Sequence, residues 1–396
     1  MSYPNRGRSG SFQSRRRPPM QRSRFPIVSQ VRPEQYVNKR VVEEVITEYQ
    51  PQHRFTDFGL AAEIIRNVTE HGYTQPTAIQ DQAILPLMAG RDVVGIANTG
   101  TGKTAAFLLP LIHKIMNNSH QGVLILAPTR ELALQIHDEF LAFSKGLRMG
   151  VCLCIGGANL EKQVTRLRSN PHFVIGTPGR ITDLINRGAF DTRMFTNIVL
   201  DEVDRMLDIG FVKDIQFLIS KLPNERQSAF FSATMNKTAQ SIMEALLRDP
   251  VQVTVKSQQT SHAIHQDVIR IAPGGSKIEV LHQLLKKPEF SRVIVFGRTK
   301  HGINKLESVL IARGIKVSAI HGNKTQGARQ RSLLQIKQGQ VQVLLATDVA
   351  ARGIDIDDVS HVINFDEPLT FEDYTHRIGR TGRAGKRGKA ITFLAR

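Results

Sequence analysis

The sequence predicts an α/β protein of two domains, each a mainly parallel sheet flanked by helices, preceded by a disordered basic tail. Three observations carry this expectation. Short apolar runs rich in Val, Ile and Phe recur along the chain, amphipathic stretches separate them, and the alternation pauses once at a polar run before restarting. Strands covered by helices on both faces read as such continuous apolar runs.

Taken in order, residues 1–40 hold nine Arg and one Lys against a single acid, Glu34, which is half of the chain's net charge of +18. They are rich in Arg, Ser, Gly and Pro and lack the apolar periodicity that repays ordering entropy, so they are expected to be disordered. The first domain is expected over 41–255, with its regular pattern starting at Phe55. Its strands are read at DVVGIA, GVLILA, FVIGT, NIVLDE and SAFFSAT. KSQQTSH, residues 256–262, reads as a linker. The second domain, 263–396, is read from DVIRIA, RVIVFGRT, KVSAIHG, VQVLLAT, HVINFD and AITFLA. Alternating strands and helices of this kind build parallel sheets, whose ligands sit beyond the carboxyl ends of the strands.

Composition bounds the function. No apolar run approaches the 18 or more residues of a membrane span, and the Arg-rich start has no apolar core behind it, so neither a transmembrane helix nor a signal peptide is expected. The two cysteines, Cys152 and Cys154, alternate in VCLCI. On a strand they share a face and serve packing rather than a disulfide or a metal. A reducing, cytoplasmic setting follows, and a monomer is expected. The basic excess favours a polyanion partner, most simply nucleic acid; a solubility tail or attraction to anionic membrane are the other readings of residues 1–40.

Three segments carry chemistry. ANTGTGKT, residues 97–104, follows an apolar strand and precedes a helical stretch, the setting of a phosphate-binding loop. Thr99, Gly100, Thr101 and Gly102 would wrap backbone N–H groups around phosphate oxygens. Lys103 would reach the β- and γ-phosphates, and Thr104 would ligate Mg²⁺. DEVD, residues 201–204, ends the strand NIVL: Asp201 would hold Mg²⁺, partly through water, and Glu202 would orient and deprotonate the attacking water. HRIGRTGR, residues 376–383, would supply Arg380 and Arg383 as fingers from the second domain when the domains close.

With those residues in view, Phe55 to Arg396 closely resembles the DEAD-box RNA helicases, which implies two tandem RecA-like domains, ATP and Mg²⁺ as cofactors, and RNA as partner. The resemblance implies that Gln80 reads the adenine edge and that Phe55, seventeen positions before Gly72, stacks on the base. It implies RNA contacts at Pro128, Thr129 and Arg130, at Gly157, at Thr177 and Arg180, and in the second domain at Arg298, Gln326, Arg329, Thr347 and Asp348. Gly353 and Asp355 would face the nucleotide. Asp204, Ser232, Thr234 and His376 would couple hydrolysis to strand separation, with His376 bridging towards Asp204. Val203 departs from the family's alanine, and crowding there is expected to tune rather than abolish activity. The implied reaction is RNA-stimulated ATP hydrolysis that closes the domains, bends one RNA strand and frees its partner locally. A DNA motor and an ATP-hydrolysing RNA clamp share these residues; the Gln80 segment weighs against the first.

Overall fold

Alternate residues of each central strand enter opposite cores. Val123 and Ile125 join one buried cluster while Leu124 and Leu126 join another, and Val293 and Val295 separate in the same way from Ile294 and Phe296. Each sheet is therefore a middle layer between helices, as the unbroken apolar runs require. The computed structural model describes residues 29, 31–37, 49–98, 100–255, 264–351, 356, 358–382 and 388–395.

The first sheet contains β1 (Val93–Ile96), β2 (Val123–Leu126), β3 (Val151–Cys154), β4 (Phe173–Gly176), β5 (Asn197–Leu200), β6 (Gln227–Ser232) and β7 (Val251–Thr254), in the order β3-β4-β2-β5-β6-β1-β7. The second contains β8 (Ile264–Ile271), β9 (Val293–Phe296), β10 (Val317–Ile320), β11 (Val343–Ala346), β12 (His361–Asn364) and β13 (Gly388–Ala395), in the order β10-β11-β9-β12-β13-β8. Every strand pairing among the described residues is parallel. The strand order sorts the candidate residues. The carboxyl ends of β3, β4 and β2 lead into the expected RNA loops, whereas those of β5, β6 and β1 lead into DEVD, Ser232–Thr234 and the phosphate loop.

Two expectations change. The strand β7 is a partly exposed edge strand absent from the sequence reading. The tail expected over 1–40 is also too long: Ser29 and 31–37 are packed structure, with a 3₁₀ turn at Pro33–Tyr36 and Tyr36 fully buried. The rest of that tail and the expected linker lie outside the described residues. Cys152 and Cys154 are buried free thiols, their Sγ atoms 3.6 Å apart, and serve packing as expected.

Candidate nucleotide and RNA site

The phosphate loop connects β1 to the helix Lys103–Asn117 and is held from behind by the start of another helix, Ala78–Met88. The Thr77 hydroxyl donates to the Thr101 carbonyl (2.8 Å), and the Gln80 amide donates to the Gly102 carbonyl (3.0 Å). Gly102 adopts φ +88°, and a Cβ there would come within 2.4 Å of Gln80 Nε2, so glycine is required on both counts. The first turn of the helix Lys103–Asn117 offers free N–H groups and the positive dipole end to an anion. Lys103 is buried and donates from Nζ to the Ala97 carbonyl at 2.9 Å. Thr104 is half-buried in the first turn, and Thr101 donates to the Asn98 carbonyl (2.8 Å).

Asp201 follows β5 and is 2% exposed. Burial pushes its carboxyl up to about 6, opposed by the Lys103 ammonium and reinforced by the carboxylates of Glu202 and Asp204. Its Oδ1 is buried without a hydrogen-bond partner. An orphaned carboxylate oxygen facing a lysine at the mouth of a phosphate loop suits a hard cation held jointly with substrate phosphates. Among the described residues no cluster of three or more His, Cys, Asp or Glu side chains could hold a metal by itself.

Glu202 sits at φ +53°, ψ +54°, a left-handed conformation costly for a side-chain-bearing residue, at the N-cap of the helix Val203–Ile209. Arg205 fixes it twice: its backbone N–H donates to the Glu202 carbonyl (3.1 Å), and its guanidinium pairs with Glu202 Oε2 at 2.8 Å, both side chains buried. Asp204 ties this turn to β6. Its Oδ2 accepts from the backbone N–H groups of Ala233 (3.1 Å) and Thr234 (2.9 Å) and from the Thr234 hydroxyl (3.0 Å). Ser232 closes the knot by accepting from the Asp204 N–H (3.3 Å) and donating to the Thr234 carbonyl (2.7 Å). Val203 is fully buried in the core beneath.

The second sheet faces this turn. A small cavity is lined by Arg205 from the first sheet's side and by Phe296, Asp348, Asp373, His376, Arg377 and Arg380 from the second. His376 is thus next to Arg205, the neighbour of Asp204. Arg380 is 4% exposed and donates from Nε to the His376 carbonyl (3.2 Å). Arg377 is buried, lies over the Phe296 ring (5.2 Å) and donates to the Asp366 carbonyl (2.7 Å).

Loops beyond β2, β3 and β4 form the other half of the first sheet's mouth. Thr129 spends its hydroxyl capping the helix Arg130–Phe143, accepting from Leu132 N at 3.2 Å. The Arg130 guanidinium lies across Gly156 and Gly157; a Cβ on Gly157, at φ +77°, would meet its Nη1 at 2.4 Å. Pro128 and Thr177 are buried, and Arg180 donates to Gln163 Oε1 (3.2 Å). Across the cleft, Arg298 is exposed, its backbone N–H on Asp366 Oδ2 (2.8 Å), and Thr347 is half-buried. Glu131 joins the halves: its Oε1 accepts from Gln326 Nε2 (3.2 Å) and its Oε2 pairs with Arg329 at 2.8 Å.

Comparison with known proteins decides the family. Residues 77–242 match the DEAD/DEAH box helicase model and 276–385 the helicase conserved C-terminal domain model. The ATP-dependent RNA helicase CshA of Listeria monocytogenes is 43% identical over 86% of this chain and 66% of its own length. The DEAD-box ATP-dependent RNA helicase CshA of Bacillus licheniformis is 42% identical over 86% of the chain and 70% of its own length. The chain belongs to the DEAD-box ATP-dependent RNA helicases. It spans about two thirds of the length of those two relatives. Among solved structures, Saccharomyces cerevisiae Dbp5 bound to RNA and ADP BeF3 is 31% identical, with a TM-score of 0.77, covering 87% of this chain and 90% of that one. The resemblance and the paired RecA-like sheets expected from the sequence therefore hold.

For this DEAD-box chain several side chains have partners other than those expected. Gln80 is fully buried and fastens the phosphate loop, its oxygen accepting from Thr77 N (2.9 Å) and its nitrogen donating to the Gly102 carbonyl. Phe55 is 6% exposed and packs edge-on against Phe58 and Tyr73. Asp348, expected on RNA, places both carboxylate oxygens on Arg377 (2.6 and 2.8 Å). Gln326 and Arg329, also expected on RNA, converge instead on Glu131. Arg383, Thr99, Gly353 and Asp355 lie outside the described residues. Sequence reasoning missed Arg205, Glu131, Arg377 and Asp81. The last accepts from the Tyr49 hydroxyl (2.6 Å) and the backbone N–H of Gln52 (2.7 Å), fastening residues 49–53 behind the phosphate loop. No described helix is long and apolar enough to cross a membrane.

Proposed function

We propose that this chain hydrolyses ATP when RNA brings its two sheets together, and that it uses the closure to separate short duplexes locally. The observation that carries the reading is the cavity shared by Arg205, the buried partner of Glu202, and the Arg377–Arg380 turn of the second sheet. A site with its water-activating acid on one domain and its arginines on the other is complete only when the domains meet.

In this reading Lys103 leaves the Ala97 carbonyl for the β- and γ-phosphates, which the N–H groups of 100–104 cradle. Thr104 and Asp201 hold Mg²⁺, which supplies charge neutralisation at the transferring phosphoryl. Glu202 orients water in line with that phosphoryl and takes its proton. Arg380 and Arg383 offset the charge that develops on the phosphoryl oxygens, an effect worth on the order of 10³–10⁵ in turnover. Arg130, the Gly157 backbone, Thr177 and Arg180 grip one RNA strand from the first sheet, and Arg298 and Thr347 from the second. Contacts to phosphate and sugar give affinity with little sequence preference. Its likeness to a Dbp5 structure containing RNA and ADP BeF3 supports RNA as the ligand of this cleft.

The test is phosphate release from ATP with no polynucleotide, with single-stranded RNA and with matched DNA, using Lys103→Ala as the blank. RNA alone should stimulate, and Glu202→Gln should abolish turnover while retaining the ATP–RNA complex. Equal stimulation by DNA, or an unaffected Glu202→Gln, refutes the assignment.

A further inference from the structure

The packed segment at Ser29 and 31–37 lies far in sequence from everything it touches. Tyr36 is fully buried, and its ring meets that of Tyr374 edge-on, centroids 5.0 Å apart at 67°. The Tyr374 hydroxyl donates to Gln266 Oε1 (2.8 Å) and lies 3.5 Å from the Tyr36 carbonyl. Val31 and Tyr36 share a buried cluster with Ile264, Ile378, Ala390 and Leu394. The Ser29 hydroxyl donates to the Pro368 carbonyl (2.6 Å), in the loop that enters the helix Phe371–Ile378.

That helix carries the arginine side of the shared cavity. Asp373, His376, Arg377 and Arg380 recur at the i, i+3, i+4, i+7 spacing of one face and line the cavity towards Arg205. Tyr374 and Ile378 fall on another face, about 120° round the helix axis at 100° per residue. The arginines face the nucleotide side, and the N-terminal segment packs on the back of the element that presents them. We infer that Ser29 and residues 31–37 form a brace for this helix and that Tyr36 is a positioning residue for the arginines. The inference rests on the ATPase reading above.

Two features favour a brace over mere cover for the edge strand β8. The contacts reach past β8 to the helix and its entry loop. The same stretch of chain is also fastened to the first sheet, where Tyr49, Gln52 and His53 converge on Asp81, next to Gln80. Eleven residues, 38–48, connect the two anchors. Fully extended, they span at most about 40 Å. A connection of that reach lets both anchors stay seated while the sheets separate and meet.

Tyr36→Ser and Tyr36→Phe test this in the full chain. Tyr36→Ser should lower RNA-stimulated kcat by about tenfold, since small misplacements of catalytic groups cost that and more, with the KM for ATP and the half-saturating RNA within twofold. Tyr36→Phe keeps the ring contact and should keep at least half of kcat. Amide exchange in 371–378 should accelerate in Tyr36→Ser and in a deletion of residues 1–37, with exchange in 103–117 unchanged. Unchanged kcat in Tyr36→Ser, or unchanged exchange at 371–378 in both variants, overturns the brace. A wild-type chain that RNA fails to stimulate would instead sink the ATPase reading, and the exchange measurement would still judge the brace.

Discussion

Glu131→Gln isolates the contact between the two sheets on the RNA side. Glu131 pairs with Arg329 at 2.8 Å, with side-chain exposures of 4% and 12%. Removing one partner of a buried pair strands the other charge, typically at a cost of about 3–5 kcal/mol. Gln at 131 keeps the shape and an acceptor for Gln326, so part of the contact remains. That residual contact brings the cost to about 2–3 kcal/mol, and because Arg329 regains water whenever the sheets part, the cost falls on the closed arrangement and little on folding. At about 1.4 kcal/mol per factor of ten, ATP and RNA should then reinforce each other's binding about 30- to 100-fold less. The assay is RNA anisotropy with and without a non-hydrolysable ATP analogue, alongside thermal melting. Expected are a loss confined to the analogue-dependent gain in RNA affinity, melting within about 2 °C of wild type, and partial recovery in Glu131→Arg/Arg329→Glu. Undiminished reinforcement refutes the argument, and so does a large fall in melting temperature, which would make the pair a folding contact.

Three further outcomes follow from particular contacts. Arg205→Met removes the side-chain clamp on Glu202 and should lower kcat on the order of 100-fold with the KM for ATP nearly unchanged; a matching rise in KM would make Arg205 a binding residue instead. Gly157→Ala puts a methyl group where Arg130 lies and strains a φ of +77°; half-saturating RNA should rise about tenfold while RNA-free ATP binding stays put, as nucleotide titrations would show. His361 is 3% exposed and stacked on Phe290, and burial pushes its pKa down from 6.5 to about 4. The unfolded chain therefore takes up this proton first as pH falls. Stability present above pH 6.5 should drop by about 3 kcal/mol on the way to pH 4, and His361→Phe should flatten that limb in urea melts.

What the sequence made legible tracks the range of the interaction. Strands such as VLIL and VIVF could be read because both of their faces are buried. β7 could not, because an edge strand with half its residues in solvent resembles a loop. The brace escaped notice because its buried apolar anchors among the described residues, Val31 and Tyr36, are too few to register as a period. At the site, glycines and acids at strand ends announced themselves locally. Glu131 with Arg329 and Asp348 with Arg377 are ion pairs across long sequence separations, which no spacing reveals. Arg205 did leave a signal: an Arg three residues after an acid, on a helix start, faces that acid. Gln80 and Phe55 stood out by their place in the sequence, but their internal partners, Thr77 and Gly102 for one and Phe58 and Tyr73 for the other, were not legible there.

The positions of the cross-sheet contacts bear on how two ligands could share one closure. Glu131 meets Arg329 at the end of the cleft served by β2, β3 and β4, where the expected RNA loops lie. Arg205 meets the Arg377–Arg380 turn at the end served by β5, β6 and β1, where the phosphate loop lies. RNA that draws the sheets together at its own end would bring the arginine turn towards Glu202, and ATP at the other end would bring Arg329 towards Glu131. Each ligand then favours the arrangement that completes the other's site, so the reinforcement must be equal in both directions. Weakening Glu131 should therefore reduce RNA's effect on ATP affinity by the same factor as ATP's effect on RNA affinity, although Glu131 itself pairs with Arg329 at the RNA end of the cleft.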